Sequence, residues 1–302
     1  MDIDPWTVYW QADHLESCIP SRTPEDSKEI AAFWQECAIT LKDGASVVDL
    51  ACGNGAIPKQ LLSVNSTLQI CAVDKAEISP LEYLSQTGEL ASVRFLPATD
   101  ICELPFDDNS IDAVTSQFGI EYAPLKAACQ AAVRVLKPGG MMRLLMHHAE
   151  SEIVKPASAT IAEITRLLEQ QGPMKAIESF VSGNITIEQL ETVGQSYLQA
   201  EIPGTKQVSG QVFAGIDQII ELMKTNPAQA EALLVNMEKR LVADRSRLQQ
   251  LQSAALDEQQ ADSVAKEFSE LGMDIDIFEQ FLINGQQEDC ALIGWKISAH
   301  KA

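Results

Sequence analysis

Positive charge is what this chain has least of. Its 302 residues carry 22 Lys and Arg against 43 Asp and Glu, a formal net charge of −21. Holding a polyphosphate backbone relies on Lys and Arg displacing counterions, so this balance argues against DNA, RNA and anionic membranes as partners. No local run of Lys and Arg offsets it, and the acidity by default serves solubility. The seven cysteines (Cys18, Cys37, Cys52, Cys71, Cys102, Cys129 and Cys290) form no C-x-x-C pair, and none stands at zinc-ligand spacing with one of the four histidines. No metal is expected on that basis. Their odd number, and their place in apolar runs where a thiol behaves as a small hydrophobe, fit a reducing compartment. No apolar stretch approaches the ~20 residues needed to cross a bilayer. The acidic start Met-Asp-Ile-Asp-Pro-Trp lacks the basic and apolar regions of a signal peptide. Together these absences predict a soluble, cytoplasmic protein with no membrane partner.

What is present is ordinary globular composition, with 46% hydrophobic and 22% charged residues. Residues 1–22 are aromatic and irregular, with Trp6, Tyr9, Trp10 and His14 ahead of Pro20. Thr23-Pro24-Glu25-Asp26 reads as a helix start, and Ile30, Phe33, Trp34, Cys37 and Leu41 recur at helical spacing up to Gly44. Strands then alternate with helices. Strands are expected at 47–50, 68–73, 93–96, 111–116 and 141–147, with helices after Gly55, near 80–86 and at 124–136. That rhythm predicts a parallel sheet covered on both faces.

From about Ser151 to Leu271 the pattern is helical throughout. Within it Leu234, Met237, Leu241, Leu248, Leu251 and Ala255 fall on a heptad-like seam interrupted by Asp244. A long helix packed on its own domain and a homodimer through this insertion both fit. Strand patterns return at 274–282 and 290–298, either side of a hairpin-type Asn284-Gly285. The expected fold is α/β: a seven-stranded, mostly parallel, Rossmann-like sheet with an antiparallel last strand. A sheet domain over 1–150 and 272–302 would carry an all-helical insertion, 151–271, between strands five and six.

The segment Val47-Val48-Asp49-Leu50-Ala51-Cys52-Gly53-Asn54-Gly55-Ala56 ends a strand in an acid and turns through glycines into a helix. Glycines let backbone approach a ligand, and the helix start offers unpaired N–H groups. A dinucleotide fold would bring pyrophosphate to this turn, whereas the carboxylate of Asp49 suits a cationic aminoacyl group. The G-x-G-x-x-G pattern also fails, because Pro58 stands three residues beyond Gly55.

The segment resembles motif I, D-x-G-x-G-x-G, of the class I S-adenosylmethionine (SAM)-dependent methyltransferases, departing from it at Ala51 and after Gly55. Further stretches resemble the same family in order and spacing. They are Val73-Asp74 at the end of strand two, Ala98-Thr99-Asp100-Ile101 after strand three, the run from Leu104-Pro105-Phe106 to Ile111-Asp112-Ala113-Val114, and Leu136-Lys137-Pro138-Gly139-Gly140. The penultimate run is similar to the ubiquinone-biosynthesis type. The resemblance covers about half the chain and leaves the helical insertion out.

This resemblance implies SAM as cofactor. Asp49 would meet the methionine ammonium, and backbone at Ala51, Gly53 and Gly55 would line the methionine and ribose. Asp74, with Lys75 beside it, would hold the ribose hydroxyls; Asp100 would accept from the adenine amine while Ile101 packs on the ring. Gln117 and Phe118 would flank the sulfur end, and Tyr9 and Trp10 would form a lid. A structural role for those two aromatics, anchoring the first helix, stands beside that.

Histidine is the side chain best tuned to remove an acceptor proton near neutral pH. His147 and His148 lie at the carboxyl end of strand five, at the sheet edge where ligands bind; the alternative is that one is buried and hydrogen-bonded and the other points to solvent. Neighbouring strand residues face opposite ways, so the two do not share one role. Glu121 and Tyr122 after strand four point to the same mouth, and the insertion stands where it would cover it. The function expected is methylation of a small molecule. The alternatives are methylation of protein or tRNA and a catalytically silent SAM-binding partner.

Overall fold

Runs rich in apolar residues build the sheet in the computed structural model, which describes residues 4–17, 24–200, 206–284 and 290–302. Strands β1 (Ser46–Leu50), β2 (Gln69–Val73), β3 (Arg94–Leu96), β4 (Ile111–Gln117), β5 (Leu136–His147), β6 (Met273–Asn284) and β7 (Cys290–Lys301) follow the chain. They lie in the order β3-β2-β1-β4-β5-β7-β6. Pairs from β3 to β5 are parallel, and β7 runs antiparallel to both β5 and β6. This is the expected Rossmann-like sheet, with the strand order reversing between β1 and β4.

Helices α2 (Pro24–Thr40), α3 (Ala56–Val64), α4 (Pro80–Tyr83) and α5 (Leu125–Val135) fall where the sequence put them or within a few residues of it, whereas α1 (Pro5–Trp10) lies in the N-terminal stretch expected to be irregular. The proposed cap at Thr23, the Asn284-Gly285 turn and Cys18 lie outside the described side chains and residues. Between β4 and β5 the register passes from Ile111 opposite Leu136 to Ala113 opposite Met141. Residues 137–140 therefore loop out of the ladder as the Lys-Pro-Gly-Gly turn. Near it, Lys301 Nζ donates to the carbonyls of Val133 and Leu136 at 2.8 Å each. A cation there satisfies carbonyls left open at the end of α5.

The chain divides into a sheet unit, Trp6–Lys155 with Gln250–Ala302, and a helical unit whose long segment is Pro156–Gln249. The helical unit contains α6 (Ala157–Leu168), α7 (Pro173–Val181), α8 (Ile187–Gln199), α9 (Gln207–Thr225) and most of α10 (Pro227–Ala254). Helix α11 (Glu258–Glu270) packs on β6 and α5 and belongs to the sheet unit, although its sequence continues the helical stretch. Leu234 and Leu241 of the heptad-like seam are buried in the helical unit's core, where Met237 and Leu248 pack partly buried. This part of the seam is used inside the chain, and no dimer is shown. The helical unit is also pinned by a buried polar knot: Glu163 Oε1 accepts from Ser209 N at 2.7 Å and Ser209 Oγ at 2.6 Å, and Ser209 Oγ meets the Tyr197 hydroxyl at 2.9 Å.

Candidate cofactor and acceptor site

Parallel pairing brings the carboxyl ends of β1, β2, β3 and β4 to one edge, and every cofactor residue expected from sequence lies at or just beyond that edge. The backbone there is strained. Ala51 after β1, Ala98 after β3 and Phe118 after β4 are non-glycine residues with φ of 52°, 50° and 53°. L-residues held in this region cost about 1–2 kcal/mol each and concentrate at functional sites.

Asp49 is fully buried on β1 and pairs across the ladder with Thr115 of β4, whose Oγ1 donates to Asp49 Oδ1 at 2.8 Å. Its Oδ2 has no hydrogen-bond partner among the described residues. Burial pushes the carboxyl up to about 8, against the lowering hydrogen bond from Thr115. Asp74 accepts from Gly53 N through Oδ2 at 2.7 Å and from Ala76 N through Oδ1 at 2.8 Å. Those bonds tie the turns after β1 and β2 together. Asp100 is held below the usual carboxylate range chiefly by the backbone N–H of Cys102, with exposed Lys75 3.5 Å away. Ile101 is buried in the core cluster on the sheet face that α5 and α11 cover.

Gln117 and Phe118 are both engaged by protein groups. Gln117 Oε1 accepts from Trp34 Nε1 at 2.5 Å, and the Phe118 ring stacks on His147 at 4.4 Å and 9°. A crevice of about 10 Å³, the size of one water, lies between Glu16, Trp34, Ala56, Gln60 and Gln117.

The N-terminal aromatics reach the motif turn directly. The Trp10 indole lies so close over Gly53 that a Cβ at that residue would overlap it. Asn54 Nδ2 donates to the carbonyls of Trp10 and His14 at 3.0 and 2.8 Å, anchoring the segment on the turn. Thr7 Oγ1 accepts from Glu77 N, and Asp13 Oδ1 from Ser85 N, each at 3.0 Å. Tyr9 stands edge-on to Trp10 and donates its hydroxyl to Glu16 O. Trp6 stacks with Trp10 and meets Tyr122 edge-on. Sequence reasoning did not single out Asn54, because its partners are backbone carbonyls that carry no residue signal.

The two histidines do face opposite ways, but both are buried, so neither points to solvent. His147 is fully buried, and burial holds its imidazole near 3, so the ring is neutral. Its ring nitrogens have no hydrogen-bond partner among the described residues. His148 stacks on Trp295 at 4.6 Å, and its Nδ1 accepts from Glu150 N at 2.9 Å. That bond fixes the proton of the neutral ring on Nε2 and leaves no lone pair there to act as a base. Glu121 is buried, with Oε1 accepting from His147 N at 2.7 Å. Among the described residues, no cluster of His, Cys, Asp and Glu could hold a metal, and no helix is long and apolar enough to cross a membrane.

The Methyltransferase domain family matches residues 48–144. The chain is 32% identical over 143 residues to the ubiquinone/menaquinone biosynthesis C-methyltransferase of Idiomarina loihiensis, covering 45% of this chain and 54% of that protein. It is 35% identical over 107 residues to a demethylmenaquinone methyltransferase of Staphylococcus aureus, covering 34% and 43%. The chain thus spans about half the length of these relatives. A SAM-dependent methyltransferase structure from Aquifex aeolicus covers 100% of both chains at 11% identity and TM-score 0.47. A Haloferax volcanii methyltransferase solved with its Trm112 activator covers 92% of both at 13% and 0.44. Likenesses that loose carry no argument, and the fold rests on the strand order itself. Residues 48–144 thus match a methyltransferase domain, and over that stretch the chain is similar to ubiquinone- and menaquinone-biosynthesis methyltransferases.

Proposed function

We propose that the chain is a SAM-dependent methyltransferase whose acceptor is a small molecule. The observation that carries this reading is Asp49, a buried carboxyl at the motif turn with one oxygen lacking a hydrogen-bond partner among the described residues. Burial raises this carboxyl to about 8 and favours its neutral form, and the ammonium of a bound aminoacyl cofactor would favour the charged one. The residues therefore fit the group. When bound, SAM presents an electrophilic methyl on a cationic sulfur, and the protein's task is in-line positioning.

Backbone at Ala51, Gly53 and Gly55 would line the methionine and ribose. Asp74, oriented at the end of β2 by an amide on each oxygen, would hold the ribose hydroxyls. Asp100, beside Lys75, would take the adenine amine with Ile101 against the ring. Gln117 and Phe118 would flank the sulfur end, and Tyr9 and Trp10 would serve as the lid. Relatives named for quinone methylation, together with a net charge of −21, favour a small acceptor over a nucleic acid.

A silent SAM-binding protein is the second reading, favoured by the engagement of both histidines in protein contacts. Incubation with methyl-tritiated SAM and a panel of phenols and hydroquinones separates the two. Label carried into the organic phase supports transfer, and SAM binding with no transfer to any member favours the silent protein.

A further inference from the structure

We propose that the helical unit holds a small-molecule site of its own, which takes an organic cation with an apolar body about the size of one ring. The site lies between α8 and α9 beside Pro173 of α7, and every residue around it belongs to the helical unit.

The two helices turn matching faces to this space. Leu190, Gly194 and Leu198 stand four apart on α8, and Phe213, Ile216 and Ile220 stand three and four apart on α9. At those spacings each helix presents one apolar stripe. The stripes bound a groove of about 200 Å³. An apolar cavity of ~150 Å³ already accommodates a benzene ring. Leu198 is 52% exposed, a large apolar side chain left half in water.

Gly194 keeps the groove open. Glycine is a poor residue inside a helix, and where α9 uses one there is a packing reason. A Cβ at Gly215 would overlap the end of Met237, 2.6 Å from its Cε and 2.7 Å from its Sδ. Gly194 is not crowded in this way. A Cβ there would meet Phe213 Cε1 at 3.4 Å, an ordinary contact, and any longer side chain would grow into the groove. The chain forgoes helix stability at this position, and the result is open space against the Phe213 ring.

Charge selects the ligand. Glu191 of α8 and Asp217 of α9 are exposed on the rim, one from each helix, and no Lys, Arg or His lines the groove. Elsewhere in the unit Glu178 and Glu238 share Lys175 at 2.8 and 3.0 Å. Among the described residues, Glu191 and Asp217 have neither an ion pair nor a side-chain hydrogen bond. A cationic head at the rim meets carboxylates from both helices, while the apolar body displaces water from Leu190, Phe213 and Ile216. An anion of the same shape is repelled by both.

The test is methyl NMR of the full chain, labelled at Ile and Leu, titrated at pH 7.5 with 2-phenylethylammonium, 2-phenylethanol and 3-phenylpropionate. The three share a ring and a two-carbon arm and differ in charge. Alkylammonium groups titrate near 10, so the first stays cationic. The cation should give saturable shifts at Leu190, Ile216 and Ile220. Exposed ion pairs contribute up to about fivefold each, so it should bind at least about fivefold more tightly than the alcohol, with the anion weakest. The double variant Glu191→Gln, Asp217→Asn should bring cation and alcohol within about twofold. Removing two charges from a net −21 leaves the general attraction of cations nearly unchanged, so this variant isolates the site. Gly194→Leu should fill the groove and abolish the shifts.

Equal binding of cation and alcohol, a preference that survives the double variant, or wild-type binding by Gly194→Leu overturns the proposal. So does the absence of shifts at Leu190, Ile216 and Ile220, including the case where shifts are confined to Ile57 and Leu61 of α3. Should Gly194→Leu not fold, the double variant alone decides. No step uses SAM, so the outcome is independent of the methyltransferase reading.

Discussion

The methyl group of Ala51 is accommodated because residue 119 is glycine. A Cβ built on Gly119 would lie 2.5 Å from Ala51 Cβ and 3.2 Å from Ser116 Oγ. Ala51 stands where the family motif has its first glycine, and it keeps the left-handed φ of 52° that a glycine would adopt freely. The side chain added on one turn is thus balanced by the side chain missing from the next.

This pairing predicts a double-mutant cycle. Gly119→Ala should destabilise the protein by about 1–3 kcal/mol through overpacking. Adding Ala51→Gly should recover most of that loss, because the clashing methyl is then gone. Urea unfolding of the four proteins reads the coupling, and strictly additive effects would refute the pairing.

Asn54 governs the N-terminal segment. Its Nδ2 holds the carbonyls of Trp10 and His14, so Asn54→Ala leaves both acceptors without that donor, at about 1–3 kcal/mol locally. Hydrogen exchange over 6–17 should quicken while β1 and β4 stay protected. Equal protection in variant and wild type would show that other contacts hold the segment.

Much of this architecture was legible in the sequence, and for identifiable reasons. The strand–helix rhythm and the Asp49, Asp74 and Asp100 spacings depend on local periodicity and turn chemistry, which sequence carries directly. Side-chain engagement across the fold is not local. The Gln117–Trp34 bond, the Phe118–His147 stack and the Asn54 anchor each join segments far apart in the chain. Helix α11 shows the same limit. Its pattern matches its helical neighbours, yet its apolar face, with Ala261, Val264 and Phe268, is buried in the sheet unit's core.

Asp49 should trade stability for function. Its folded-state carboxyl lies near 8 against an ordinary 3.8, so between these values the unfolded chain has lost the proton that the native state keeps. Stability then falls as pH rises across that window, by up to about 1.4 kcal/mol per pH unit. Asp49→Asn should therefore raise the apo-protein's Tm, with a larger gain at pH 8 than at pH 5, on the scale of about 2–4 °C per kcal/mol. A gain independent of pH would contradict a raised carboxyl.

In the helical unit, Glu163→Ala should be destabilising by about 2–4 kcal/mol. It strips the acceptor from both Ser209 groups and leaves a cavity in a buried position. Loss of circular-dichroism signal at lower urea concentration would show this, and an unchanged midpoint would mean that the knot is replaced by other partners.

The central claim is that the turn after β1 binds SAM through Asp49, and calorimetric titration with SAM and S-adenosylhomocysteine tests it most directly. The wild type should bind both in the micromolar range with one site per chain. Asp49→Asn, folded and no less stable, should bind SAM at least about tenfold more weakly, the loss of one charge-assisted contact. A folded wild type that binds neither ligand, or an Asp49→Asn variant that binds SAM as tightly as the wild type, would contradict the account.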